Sequence, residues 1–349
     1  MRIPELPPVS CHPARRCAPK HHRWTPFRTL GIGLSVLLLG ACTTQDASDA
    51  EAAGASASTQ DASDTVRVEF QTVEEIEAFF EEVNYSPQHW ADGVREIPRM
   101  YVTAVGERWQ QRANDELTVE AKKRIFFRSM APLALRSNEL IQAERERLQG
   151  LAGSADLSEE ERGWLGELAG DYGVEAPAGE DASDPAAWDA VREELQVRVD
   201  GVPVSLVLAQ AANESGWGTS RFAGQGNALF GQWSFGGSGM LPEQQRESLG
   251  DYRVAAFESP LLSVIAYMRN LNTHRSYARL RELRAQARAA GDTPRGLDLA
   301  AGLESYSERG QEYVDEIRSM IEFNGLEDAD VTYLAPGPVY LVLPAALEG

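Results

Sequence analysis

Three features of the sequence predict a mainly α fold, in which a helical N-terminal module precedes a larger helix-rich domain. Apolar residues recur at helical spacing through most of residues 70–325, the stretch Pro203 to Ala212 (PVSLVLAQAA) is almost wholly apolar, and Gly216 and Gly218 break the chain just beyond it. At 349 residues, 43% hydrophobic and 25% charged, the chain can bury a sizeable core in one large or two modest domains.

The N-terminal segment reads as a signal peptide over residues 1–41. Arg2, Arg15, Arg16, Lys20, Arg23 and Arg28 stand against the single acid Glu5, and Leu30 to Ala41 is uncharged and apolar. That apolar run is shorter than the ~20 residues a helix needs to cross ~30 Å of hydrocarbon. It ends in Leu39-Gly40-Ala41-Cys42, which resembles a bacterial lipobox: small residues admit the peptidase, and the Cys42 thiol receives the lipid. The multiple acyl chains of a lipoprotein suffice for stable anchoring where one chain does not. Thr43, rather than Asp, after the cysteine implies by the same resemblance an outer-membrane destination facing the periplasm. Met1 is not the only conceivable start, since Cys11 and Cys17 lie in an unusually long basic region.

Processing at Cys42 leaves one cysteine and so no internal disulfide, although the compartment permits one. Removing the six bases and one acid takes the formal net charge from −20 to −25, which argues against nucleic acid as a partner. Only His89 and His274 remain, far apart, so a histidine zinc cluster and a Ser-His nucleophile both lack material. No metal and no cofactor are expected.

Residues 42–69 are expected to be a disordered tether, because the Ala, Ser, Asp and Thr of 43–65 include almost nothing able to repay the entropy of ordering. From Thr72 the pattern changes. Val73, Ile76, Phe79, Phe80 and Val83 follow a Thr-Val-Glu-Glu start, and stripes continue through Met100 to Trp109 and from Ile125 to Leu148. Ser158-x-x-Glu161 forms a second capping box before Leu165 and Leu168. Residues 70–172 therefore read as an all-helical module, 173–187 as a Gly-, Ala-, Pro- and acid-rich linker, and 188–325 as the domain that carries the chemistry. In the tail, 326–349, Val339 to Leu343 has the composition of a strand or a docking segment.

Within 188–325, Pro203 opens a helix apolar enough to be central, and Glu214 sits at its end. A carboxyl there is desolvated, so it holds its proton near neutrality as a general acid must. The neighbouring glycines end the helix and open the chain into a cleft.

The segment AQAANESGWGTSRFAGQGNALFGQW resembles the signature of the glucosaminidase superfamily, glycoside hydrolase family 73, with its mannosyl-glycoprotein endo-β-N-acetylglucosaminidase-like domain. The resemblance runs on through 252–284 and 306–321, and is strongest to the Bax-type branch, so that roughly 70–325 is covered. It implies a lysozyme-like α-lobe with a small irregular or β lobe, Glu214 as the catalytic acid and Ser215 to Gly218 shaping the turn. It also aligns Asn227, Leu229, Phe230 and Gly231 with the segment leading to the small lobe, and Tyr306 with a tyrosine across from the acid. Trp217 and Trp233 are the candidates for stacking on a sugar face, with Asn227 and Phe230 beside them. Glycoside hydrolysis ordinarily needs a second carboxylate. The family places it about 30 to 35 residues on; Glu243, Glu247 and Asp251 are the candidates, Glu247 the favoured one, and the substrate's own N-acetyl carbonyl is the alternative nucleophile.

The leading functional reading is a lipid-anchored peptidoglycan hydrolase, an endo-β-N-acetylglucosaminidase acting on the β-1,4 bonds of glycan strands. A lytic transglycosylase and a non-catalytic glycan-binding or scaffold lipoprotein stand beside it.

Overall fold

Helices form where apolar residues recur at helical spacing in the computed structural model, which describes residues 65–154, 156–235, 239–242 and 252–344, all within one unit spanning 41–349. The signal peptide, Cys42 and most of the expected tether lie outside the described residues. In chain order the N-terminal part holds β1 (Thr65–Glu69), α1 (Val73–Glu82), α2 (Pro87–Ala91), β2 (Glu96–Val102), α3 (Glu107–Asp115), α4 (Val119–Gly150) and α5 (Glu159–Asp171). Both capping boxes are formed: Thr72 and Ser158 accept from the amides of Glu75 and Glu161, whose carboxylates reach back to the cap amides.

The second part holds α6 (Pro185–Arg198), α7 (Val204–Ser215), α8 (Arg221–Gly226), the antiparallel hairpin strands β3 (Trp233–Phe235) and β4 (Tyr252–Val254), α9 (Pro260–Thr273), α10 (Ala278–Ala289), α11 (Gly296–Leu299) and α12 (Gln311–Phe323). The chain ends in β5 (Tyr333–Leu343). This is the mainly α, lysozyme-like architecture with a small β element that the sequence predicts.

The N-terminal module differs from the all-helical expectation. It contains a three-stranded sheet ordered β1-β5-β2 in which both pairs are parallel. Parallel neighbours need long crossovers, and here the middle strand is supplied by the C-terminal tail. Thr65 pairs with Val339 and Glu69 with Leu343, while Met100 pairs with Tyr340 and Val102 with Val342. The register slips between Ile97 and Arg99, opposite Ala335 to Pro338, because Pro98, Pro336 and Pro338 have no amide to give a ladder.

Helix α4 joins the two parts. Ile125, Phe126, the run Met130 to Leu135, Ile141 and Leu148 are all buried, and the helix packs on β2, α7 and α9. A buried ionic cluster fixes the ends of these helices. Asp200, 3% exposed, faces Arg284, 1% exposed, at 3.6 Å and Arg288 at 2.8 Å. Arg284 Nη1 also donates to the carbonyls of Asp200 and Gly201 and to Asn272 Oδ1. Burial opposes ionisation of Asp200, yet the Arg288 hydrogen bonds and the charges of Arg284 and Arg145 outweigh it and hold the carboxyl low.

Candidate active site

Helix α7 is buried along nearly its whole length, from Val204 to Ala212 and again at Ser215. Its first turn starts after Pro203, which has no side chain to cap it; instead Asp330, from the segment before β5, accepts from the Ser205 amide at 2.8 Å, the Ser205 hydroxyl at 2.8 Å and the Gly296 amide at 2.9 Å. A carboxylate at a helix N-terminus satisfies its orphan donors.

At the other end the chain turns away abruptly. Gly216, Trp217 and Gly218 have φ values of 57°, 64° and 75° in succession. Glycine adopts this left-handed region without strain, and a tryptophan there costs free energy. The turn is held by Ser215 Oγ, which donates to Ala211 O at 2.6 Å and accepts from Gly218 N at 2.7 Å. A Cβ on Gly218 would stand 3.0 Å from Trp109 Nε1, so the second glycine is also needed for space.

This geometry leaves Glu214 half-buried at the helix end. Burial raises its pKa, and hydrogen bonds from Tyr313 and Asn213 pull part of that rise back; the Glu316 carboxylate raises it further and Arg309 lowers it. Tyr313 Oη donates to Glu214 Oε1 at 2.7 Å and accepts from Gln210 Nε2 at 2.8 Å. Gln210 Oε1 in turn accepts from the Tyr267 hydroxyl. Gln210 and Glu214 lie four apart on one face of α7, so a polar chain runs from the buried α9 through α7 to the carboxylate.

Aromatic rings frame that chain. Tyr306 stacks on Tyr313 with ring centres 5.4 Å apart and planes at 4°, and Phe230 stacks on Tyr267 at 3.9 Å and 9°. The Tyr306 hydroxyl donates to Phe230 O at 3.0 Å, so it ties the segment after α8 to the one before α12. Tyr277 lies 6.0 Å from Tyr306, and burial pushes its phenol up to about 12. Burial likewise holds Tyr267, Tyr306 and Tyr313 far above their ordinary values. All four stay neutral donors at any pH where Glu214 titrates.

The remaining sequence candidates are distributed differently. Trp217 is turned against α4: its ring meets Phe126 and Phe127 edge-on at 5.8 and 5.1 Å, and the Lys123 ammonium stands 5.1 Å from its centre. Asn227, at φ 52°, accepts from Val105 N and donates to Phe257 O, both at 2.9 Å, so its amide joins the N-terminal module to the small lobe. Trp233 is 49% exposed on β3 and packs against Tyr252 at 5.0 Å. Outside the candidate set, Asn272 is buried on Asp200 and Arg284, and His274 caps the turn at Ser276. Glu243, Glu247 and Asp251 lie outside the described residues. Sequence reasoning missed Tyr313 and Gln210. The available signal was the α12 stripe Tyr313, Val314, Ile317 and Ile321, which places Tyr313 on the buried face.

Among the described residues no group of three or more His, Cys, Asp or Glu side chains is arranged to hold a metal, and no helix is long and apolar enough to cross a membrane.

Glu214, half-buried at a helix end and framed by tyrosines, lies within a domain of glycan-hydrolase type: residues 190–326 match the family model described as mannosyl-glycoprotein endo-beta-N-acetylglucosaminidase. The chain is also similar to Protein bax of Escherichia coli (strain K12), 34% identical over 203 residues that make up 58% of this chain and 70% of that protein. The chain thus belongs to the glucosaminidase family, in its Bax-type group. No solved structure matches it.

Proposed function

We propose that this protein is an endo-β-N-acetylglucosaminidase that hydrolyses the β-1,4 bond after N-acetylglucosamine in peptidoglycan, with Glu214 as general acid. The observation that carries this is the Glu214 environment: burial favours the protonated form, while the Tyr313 hydroxyl is positioned to steady the carboxylate left once the proton has passed to the leaving oxygen. The family match supports the substrate class. Tyr306 acts through Phe230 and the stacked Tyr313 ring, holding the two walls of the site in register. Trp233, exposed on the hairpin, offers an apolar face to a sugar ring. The second carboxylate is Glu247 in this reading, with the substrate's N-acetyl group as the alternative. Cys42 carries the lipid that keeps the enzyme at the outer membrane, facing the wall.

The test is digestion of purified peptidoglycan by the full chain and by Glu214→Gln, with products identified by mass spectrometry. Reducing N-acetylglucosamine ends that disappear in the variant support the proposal. Anhydro-muramyl ends would make the protein a lytic transglycosylase, and retained binding without release from either protein would make it a glycan-binding scaffold.

A further inference from the structure

A cavity lies in the N-terminal module, where α1, β2, α3 and α4 meet the C-terminal tail and the residues Gly218 and Leu229. Its volume is about 160 Å³. Its walls are apolar: Val73 and Ile76 from α1, Met100 and Val102 from β2, Ile125 and Met130 from α4 are representative. None of Gln210, Glu214, Tyr267, Tyr306 or Tyr313 borders it, so it is distinct from the candidate active site. The cavity is open to solvent on one side, and an apolar cavity of comparable volume, ~150 Å³, binds benzene. The space suits a ring or a chain of about six carbons on that comparison.

One stretch of the rim is cationic. Arg108 and Arg112 both border the cavity from α3, four residues apart and hence on one helix face, with Trp109 between them. Arg108 donates to Gln71 Oε1 at 2.7 Å, and Arg112 Nε stands 3.6 Å from the exposed Glu116 carboxylate. A guanidinium has five donors in a planar fork that suits a carboxylate or phosphate, and the long Glu116 pair is readily exchanged for a better one at Arg112.

We propose that this cavity binds an amphiphile with a short aliphatic chain and an anionic head, the chain among Val73, Ile76, Val102 and Met130 and the head on Arg112. A free fatty carboxylate and an anionic lipid share that chemistry. The site does not depend on the hydrolase reading.

The experiment is calorimetric titration of the full chain with octanoate, octanol and octylammonium, which share one chain and differ in head charge. Octanoate should bind one to one and at least tenfold tighter than octylammonium, with octanol between. Arg112→Gln should remove the advantage of octanoate, and Ser129→Leu, which puts extra atoms into the cavity, should weaken all three at least tenfold. If Ser129→Leu fails to fold, as judged by circular dichroism, Ala104→Leu fills the same space from another segment. Equal binding of octanoate and octylammonium, no saturable octanoate binding, or wild-type affinity in a folded filling variant would each overturn the proposal. Displacement of octanoate by phosphatidylglycerol vesicles supports the site with a membrane lipid as its source; octanoate that binds but is not displaced supports it with a free carboxylate.

Discussion

Replacing Tyr313 by Phe isolates the part of the site that acts on Glu214 after its proton has left. The substitution removes one oxygen. It keeps the ring, its stack on Tyr306 at 5.4 Å and its place among Val314, Ile317 and Ile321. The oxygen lost is the donor to Glu214 Oε1 at 2.7 Å and the acceptor for Gln210 Nε2 at 2.8 Å. A hydrogen bond to a charged group contributes about 1.5–3 kcal/mol. If that bond steadies the carboxylate formed in the transition state, kcat should fall about 10- to 150-fold, at 1.36 kcal/mol per factor of ten. The pH profile should move as well. Burial raises Glu214, and the Tyr313 hydrogen bond offsets part of that rise, so without it the carboxyl keeps its proton to higher pH. A general acid works while protonated, so the alkaline limb should shift upward as kcat drops. Release of reducing ends from purified peptidoglycan, followed across pH, reads both quantities. A kcat within about twofold of wild type, with the alkaline limb unmoved, would refute the role given to Tyr313.

Glu214→Gln should abolish hydrolysis yet raise thermal stability at neutral pH: a carboxyl raised by burial supports the folded state below its unfolded pKa, and that support is lost as pH rises through the folded value. The gain should fade in acid, and a variant less stable than wild type at neutral pH would contradict it. Arg284→Met leaves Asp200 partly unpaired beneath the surface, where burial holds Arg284 at about 10, and should cost about 3–5 kcal/mol in denaturant unfolding. A cost under about 1 kcal/mol would mean Arg145 and Arg288 suffice for Asp200. Deleting residues 333–349 removes the middle strand, so hydrogen exchange should become fast in β1 and β2, with their protection retained as the opposing result.

The helices and their caps were legible because their signals are local. Thr72 with Glu75, and Ser158 with Glu161, need only three residues of separation to meet, and both boxes form. The sheet was illegible for the opposite reason. Val66 and Val68 alternate with polar residues, but five residues at the end of a polar tether say nothing of a partner more than 260 residues away, and the strand-like run Val339 to Leu343 had no visible neighbour. Only folding brings them together.

The site divides along the same line. Glu214 announces itself through the glycines that must follow it, because the φ values of 57° and 75° at Gly216 and Gly218 restrict residue type in the sequence itself. Tyr313 carries no such mark. Its role arises from α12 packing on α7, so that a residue reading as one more member of a buried stripe comes to face Gln210 and Glu214. Trp217 shows the converse. A conspicuous aromatic beside the acid is turned by its left-handed backbone onto Phe126, Phe127 and Lys123, where it fastens the turn to α4. In this fold the acid is therefore positioned from two directions: Asp330 holds the start of its helix and Trp217 the turn beyond its end. The first of these anchors leads directly into β5, so the tail that completes the N-terminal sheet also restrains the helix that presents Glu214.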